Sequence, residues 1–145
     1  MQILIHAHSG LRWLVLISIL YAIINSIGKT KGTVPYTGKD KKAALFALIF
    51  THIQLVVGVI LYFISPKVIF SGSSMGEPAL RFYLVEHSVM MVIAIALITI
   101  GYSKAKRLTD DGKKFKTILT FYAIGLLIML ISIPWPFRHL GGSWF

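Results

Sequence analysis

Four uninterrupted apolar stretches, each about as long as a helix that crosses 30 Å of hydrocarbon, constrain this chain more than any other feature. They run from about 3 to 27, 43 to 64, 81 to 102 and 115 to 133, and leave little of the 145 residues over. Helix breakers stand where they end: Gly28 after the first, Ser65-Pro66 after the second, Pro134 and Pro136 after the fourth. The fold class this predicts is all-α, one integral membrane domain built as an antiparallel up-down four-helix bundle. Composition agrees, with 56% hydrophobic and 14% charged residues where an ordinary soluble domain has roughly 45–50% and 25%.

The net charge of +10 would suggest nucleic acid in a soluble protein, but its position assigns it to topology. Lys29, Lys31, Lys39, Lys41 and Lys42 against Asp40 give the first connection +4, and six basic residues from Lys104 to Lys116 against Asp110 and Asp111 give the third +4. The middle connection has only Lys67 against Glu77. Lysine-rich loops stay in the cytoplasm, so both termini are expected on the outer side of a bacterial inner membrane, in contact with lipid and not with nucleic acid. Trp135, Phe137, Trp144 and Phe145 read as an outer aromatic belt, and Ser71 to Gly76 as a flexible outer loop. The first span lacks a basic n-region and carries His8 and Arg12 in its body, so it is expected to remain in the mature protein.

Function is sought in the ionisable residues inside the spans, because each costs at least about 2.5–3.5 kcal/mol to insert. They are His8 and Arg12 in the first, His52 in the second, and Glu86 and His87 in the third, with Gln54 as a neutral companion. At a rise of about 1.5 Å per residue, His8 lies about 8 Å and His87 about 9 Å below the outer face, while His52 lies about 18 Å down. Two imidazoles at one level suit the axial positions of a haem iron, and the absence of cysteine removes thiolate ligation. Tyr83 and Met91 flank His87 on its own helix face, and Gly58 permits close approach. Arg12 and Arg81 are candidate partners for anionic propionates. Glu86, His52 and Gln54 are candidate hydrogen-bond partners of the ligating rings or of a quinone. His52 also stands as an alternative ligand, and Arg12 with Glu86 as a simple structural ion pair. No phosphate loop, dinucleotide fingerprint or nucleophile-base set is present, so classical hydrolases, kinases and dehydrogenases have no support.

The strings His8-Ser9-Gly10-Leu11-Arg12-Trp13, Thr51-His52-Ile53-Gln54-Leu55, Arg81-Phe82-Tyr83-Leu84-Val85-Glu86-His87 and Ile133-Pro134-Trp135-Pro136-Phe137 together resemble a family of short bacterial four-helix membrane proteins labelled cytochrome b. The resemblance covers nearly the whole chain and implies haem b. A weaker likeness links His8 with Arg12, Gln54 with Gly58, and His87 to one half of the haem A synthase bundle, which favours His8 and His87 as the axial pair. The chain has a single such half and an additional histidine, His52, so the synthase reaction does not carry over. The expectation is a b-type cytochrome that transfers electrons in a respiratory or quinone-linked chain, alone, as a homodimer or within a respiratory complex. The alternative is a cofactor-free accessory subunit of a larger membrane complex.

Overall fold

The computed structural model describes residues 1–144, and Phe145 of the expected aromatic belt lies outside the described residues. Four long helices carry the chain: α1, Gln2–Ser26; α2, Gly38–Ile64; α3, Pro78–Arg107; and α4, Asp111–Ser132. All four are long and apolar enough to cross a membrane. Short 3₁₀ turns at Gly72–Met75 and Pro136–Arg138 complete the regular structure. The helices form a ring in which α1 packs on α2 and α4, and α3 packs on α2 and α4, so α1 and α3 face each other across the middle.

The expected terminators hold, but α2, α3 and the start of α4 run further into the charged connections than the apolar stretches do. The reason is capping, which hydropathy does not report. The Thr37 N–H and hydroxyl both donate to Asp40 at 2.8 and 2.7 Å before α2. Pro78 occupies the first turn of α3, and Asp110 accepts from the Lys113 N–H at 2.7 Å before α4. Asp40 also receives Asn25 at 2.9 Å and Lys29 at 3.1 Å, which ties the first connection to the end of α1. The segment expected as a flexible loop is instead the Gly72–Met75 turn, pinned by the buried Ser74 hydroxyl donating to Ile69.

The core lies toward the lysine-rich end, where Ile19, Ala47, Ala94, Ile98, Ile118 and Tyr122 are fully enclosed. Small residues let the helices approach there: a Cβ at Gly101 would sit 2.5 Å from Phe121 Cβ, and one at Gly125 3.0 Å from the Ile98 side chain. The Tyr122 hydroxyl, buried with that core, donates to the Ala44 carbonyl at 2.7 Å. Outward faces are apolar, as at Ile17, Tyr21, Val56 and Leu127, which is the surface lipid requires. Toward the other end the core gives way to a cavity.

Candidate functional site

The cavity measures about 670 Å³ and lies between α1, α2 and α3, with α4 closing its far wall. That volume is in the range of sites that hold an organic ligand. His8, Arg12, Gln54, Gly58, Tyr83, His87 and Met91 all line it, so seven of the residues singled out from the sequence converge.

A distortion of α3 positions its histidine. Residues Phe82–Glu86 form a π turn, in which the His87 N–H reaches back to the Phe82 carbonyl. Single π turns are frequent at functional sites because they rotate the following side chain relative to an undisturbed helix. Two side chains attach to the altered turn: the Tyr62 hydroxyl donates to Leu84 at 3.0 Å and the Ser88 hydroxyl to Tyr83 at 2.9 Å. Beyond it, His87 Nδ1 lies 2.8 Å from the Ser132 carbonyl. A carbonyl can only accept, so Nδ1 carries the proton and Nε2 keeps its lone pair.

Across the bundle stands His8, with its ring centroid 6.4 Å from that of His87 and the planes at 75°. A metal bound to one nitrogen of each of two opposed imidazoles at about 2.0–2.1 Å separates the ring centroids by roughly 6 Å, so the observed spacing suits a shared ion. Gly58 makes room for His8, since a Cβ there would lie 3.2 Å from His8 Cε1. Gln54 donates to the His8 main-chain carbonyl at 2.8 Å and so ties α2 to α1 at this level. Three buried side-chain atoms of the cavity wall have no hydrogen-bond partner among the described residues: His8 Nδ1, Arg12 Nε and Gln54 Oε1. Buried polar atoms are nearly always satisfied, so three on one cavity mark a surface shaped for something it binds.

Other expectations are redirected. Arg12 does not pair with Glu86; its Nη2 donates to the Ser143 and Trp144 carbonyls at 2.8 and 2.9 Å, and its guanidinium lies 5.6 Å from the Trp135 ring. Glu86 faces outward and pairs with Arg81 at 2.8 Å, so neither reaches the cavity. His52 is exposed, with Nδ1 2.7 Å from the Leu48 carbonyl of its own helix and Nε2 3.5 Å from the Thr99 hydroxyl of α3. Helix geometry explains this: at about 100° per residue, His52 is turned some 200° from Gln54, so the two cannot share a wall.

Residues that the sequence reading passed over complete the site. The tail folds back as a strap over the end of the cavity away from the lysine-rich connections, where Lys67 donates to the Gly141 carbonyl at 2.5 Å and Trp13 to the Trp144 carbonyl at 3.0 Å. The 6.5 Å stack of Trp13 on Trp144 adds to it. Tyr62 shares a helix face with Gln54 and Gly58 at intervals of four, a spacing that would have pointed to it. The acceptor from Ser132 is a backbone carbonyl and has no side-chain signature.

Among the described residues no group of three or more His, Cys, Asp or Glu is placed to hold a metal ion. Comparison of the chain with family models, with curated proteins and with solved structures finds no match.

Proposed function

We propose that the chain is a membrane b-type cytochrome that holds one haem b between α1 and α3 and passes single electrons in a respiratory or quinone-linked chain of a bacterial inner membrane. The observation that carries this reading is the pair of facing imidazoles, 6.4 Å apart, one with its Nδ1 proton committed to the Ser132 carbonyl. A ligating histidine characteristically donates its other ring N–H to a carbonyl or carboxylate, which fixes the ring and raises its basicity. Two facing imidazoles would suit haem iron, whose remaining ligands the macrocycle supplies.

His8 and His87 would hold the iron, Gly58 would leave room for the His8 ring, and Tyr83 and Met91 would cover apolar surface. Arg12 Nε and Gln54 Oε1 are the polar groups left to meet the ligand's polar edge. Held by His8 and His87, the haem would supply one-electron transfer. The protein's part is to exclude water and to set the potential through burial and the Ser132 hydrogen bond. A cofactor-free accessory subunit fits less well, because a network that merely joins helices would satisfy its own polar atoms. Protein purified from haem-replete cells is expected to show a Soret band that replacing both His8 and His87 with Ala removes; a colourless protein would refute the reading.

A further inference from the structure

The lining of the cavity is unevenly exposed, most strongly along the edge between α2 and α3. At the strap end of the cavity the strap is fastened by Arg12 and Lys67, and Gly142 packs so tightly on the Pro134 carbonyl that no side chain fits between them. Toward the lysine-rich end it meets the enclosed core, beginning at Thr51, which is itself fully buried. On the α1 and α4 walls the lining residues Val15, Met129 and Ile133 are only 4%, 3% and 3% exposed. On the α2 and α3 edges the lining residues Val59, Val89 and Val92 are 47%, 50% and 56% exposed, so each presents one side to the cavity and another to the outside.

Two polar contacts frame this edge. The Tyr62 hydroxyl bonds Leu84 of α3 at one end, and His52 meets the Thr99 hydroxyl at the other. His52 and Tyr62 are ten residues apart on α2, about 15 Å of helix, and the valines lie between those struts. Inside the cavity are the unpartnered atoms of Gln54 on α2 and of Arg12 and His8 on α1.

We propose that the gap between α2 and α3 is a lateral portal through which the cavity takes its occupant from the bilayer. The occupant is a membrane-dissolved, largely apolar small molecule that enters polar edge first, so that its polar groups reach Gln54 Oε1 and Arg12 Nε. His52 is then a strut of the portal. The inference rests on the proposed function only in treating the cavity as a binding site, and does not require the occupant to be haem.

The test is photolabelling of the haem-free chain in proteoliposomes with a small apolar aryl diazirine dissolved in the bilayer, read residue by residue by mass spectrometry. The wild-type chain is expected to carry label at Val15 and Met129, which only the cavity exposes, as well as at the outward residues Ile17 and Leu127. In the double variant Val59→Trp/Val92→Trp, label at Val15 and Met129 is expected to fall to background while Ile17 and Leu127 remain labelled, which also reports that the bundle is intact. The single variant Val89→Trp gives the same comparison with less bulk. Absence of label at Val15 and Met129 in the wild type, or interior label that survives both plugs, overturns the portal whether or not haem binds. Loosening of the strap by Lys67→Ala, which removes the donor to the Gly141 carbonyl, is expected to leave interior labelling unchanged; a rise there would move the door to the strap end and overturn it too. Loss of the Soret band with the labelling pattern intact defeats the haem reading alone.

Discussion

His87 and Ser132 are joined across two helices: the imidazole Nδ1–H of α3 is donated to the last carbonyl of α4 at 2.8 Å. The carbonyl is free to accept because a helix leaves its final carbonyls without partners of their own. The end of α4 thus orients the ring, and the break at Pro134 that ends α4 is part of the site. Substituting Ser132 with Ala keeps the carbonyl and is expected to leave the haem spectrum unchanged. Inserting one residue after Met129 rotates that carbonyl away and is expected to weaken haem retention on a gel-filtration column.

Gly58 gives a second prediction. A methyl at this position falls 3.2 Å from His8 Cε1, so Gly58→Ala displaces the ring by a few tenths of an ångström and Gly58→Leu occupies its place. Haem content per protein is expected to be lowered by the alanine and lost in the leucine variant, with helical circular dichroism retained in both. Full haem content in Gly58→Leu would mean that His8 does not reach the ligand from this position.

At the opposite end, Asp40 accepts from Thr37 twice, from Asn25 and from Lys29, and is itself buried. Asp40→Ala removes these acceptors at once and is expected to destabilise the bundle by about 2–4 kcal/mol. Thermal unfolding in detergent checks this, and a melting temperature equal to wild type would contradict it. The spectrum of the folded variant is expected to be unchanged, since the cluster lies at the other end of the bundle from the cavity.

Gly101→Ala tests the packing of α3 on α4. The added Cβ would lie 2.5 Å from Phe121 Cβ, an atom anchored to the backbone that cannot swing aside. Overpacking of this kind costs about 1–3 kcal/mol, so unfolding in detergent is expected at lower temperature than for the wild type.

How much of this the sequence disclosed depends on the kind of signal involved. The spans and their breakers are one-dimensional patterns, so α1 to α4 were legible to within a few residues wherever no cap extended them. His8 and His87 were legible as a pair because helix rise converts position into depth, and ionisable residues in lipid are few. Azimuth was the weaker coordinate. It separates His52 from Gln54 and Gly58, whereas His52 is a candidate in sequence only as an ionisable residue inside a span, at a depth that already differs from that of the pair. The partners of Arg12 were not legible at all, because they are backbone carbonyls 131 and 132 residues away. A guanidinium in an apolar span suggests a carboxylate, and Glu86 was the nearest choice. That residue lies in the π turn and faces outward, a rotation that no hydropathy pattern encodes.

The most direct measurement of the central claim is electron paramagnetic resonance of the ferric protein after titrating the purified apo chain with haemin. Two imidazole ligands make ferric haem low-spin, so the wild type is expected to take up haem to one equivalent and give a low-spin signal. The His52→Ala variant is expected to give the same signal, because that ring faces away from the cavity. His8→Ala and His87→Ala are each expected to convert it to high spin or abolish binding. A low-spin signal that survives both replacements, or one that depends on His52, would contradict the assignment of His8 and His87 as the axial pair.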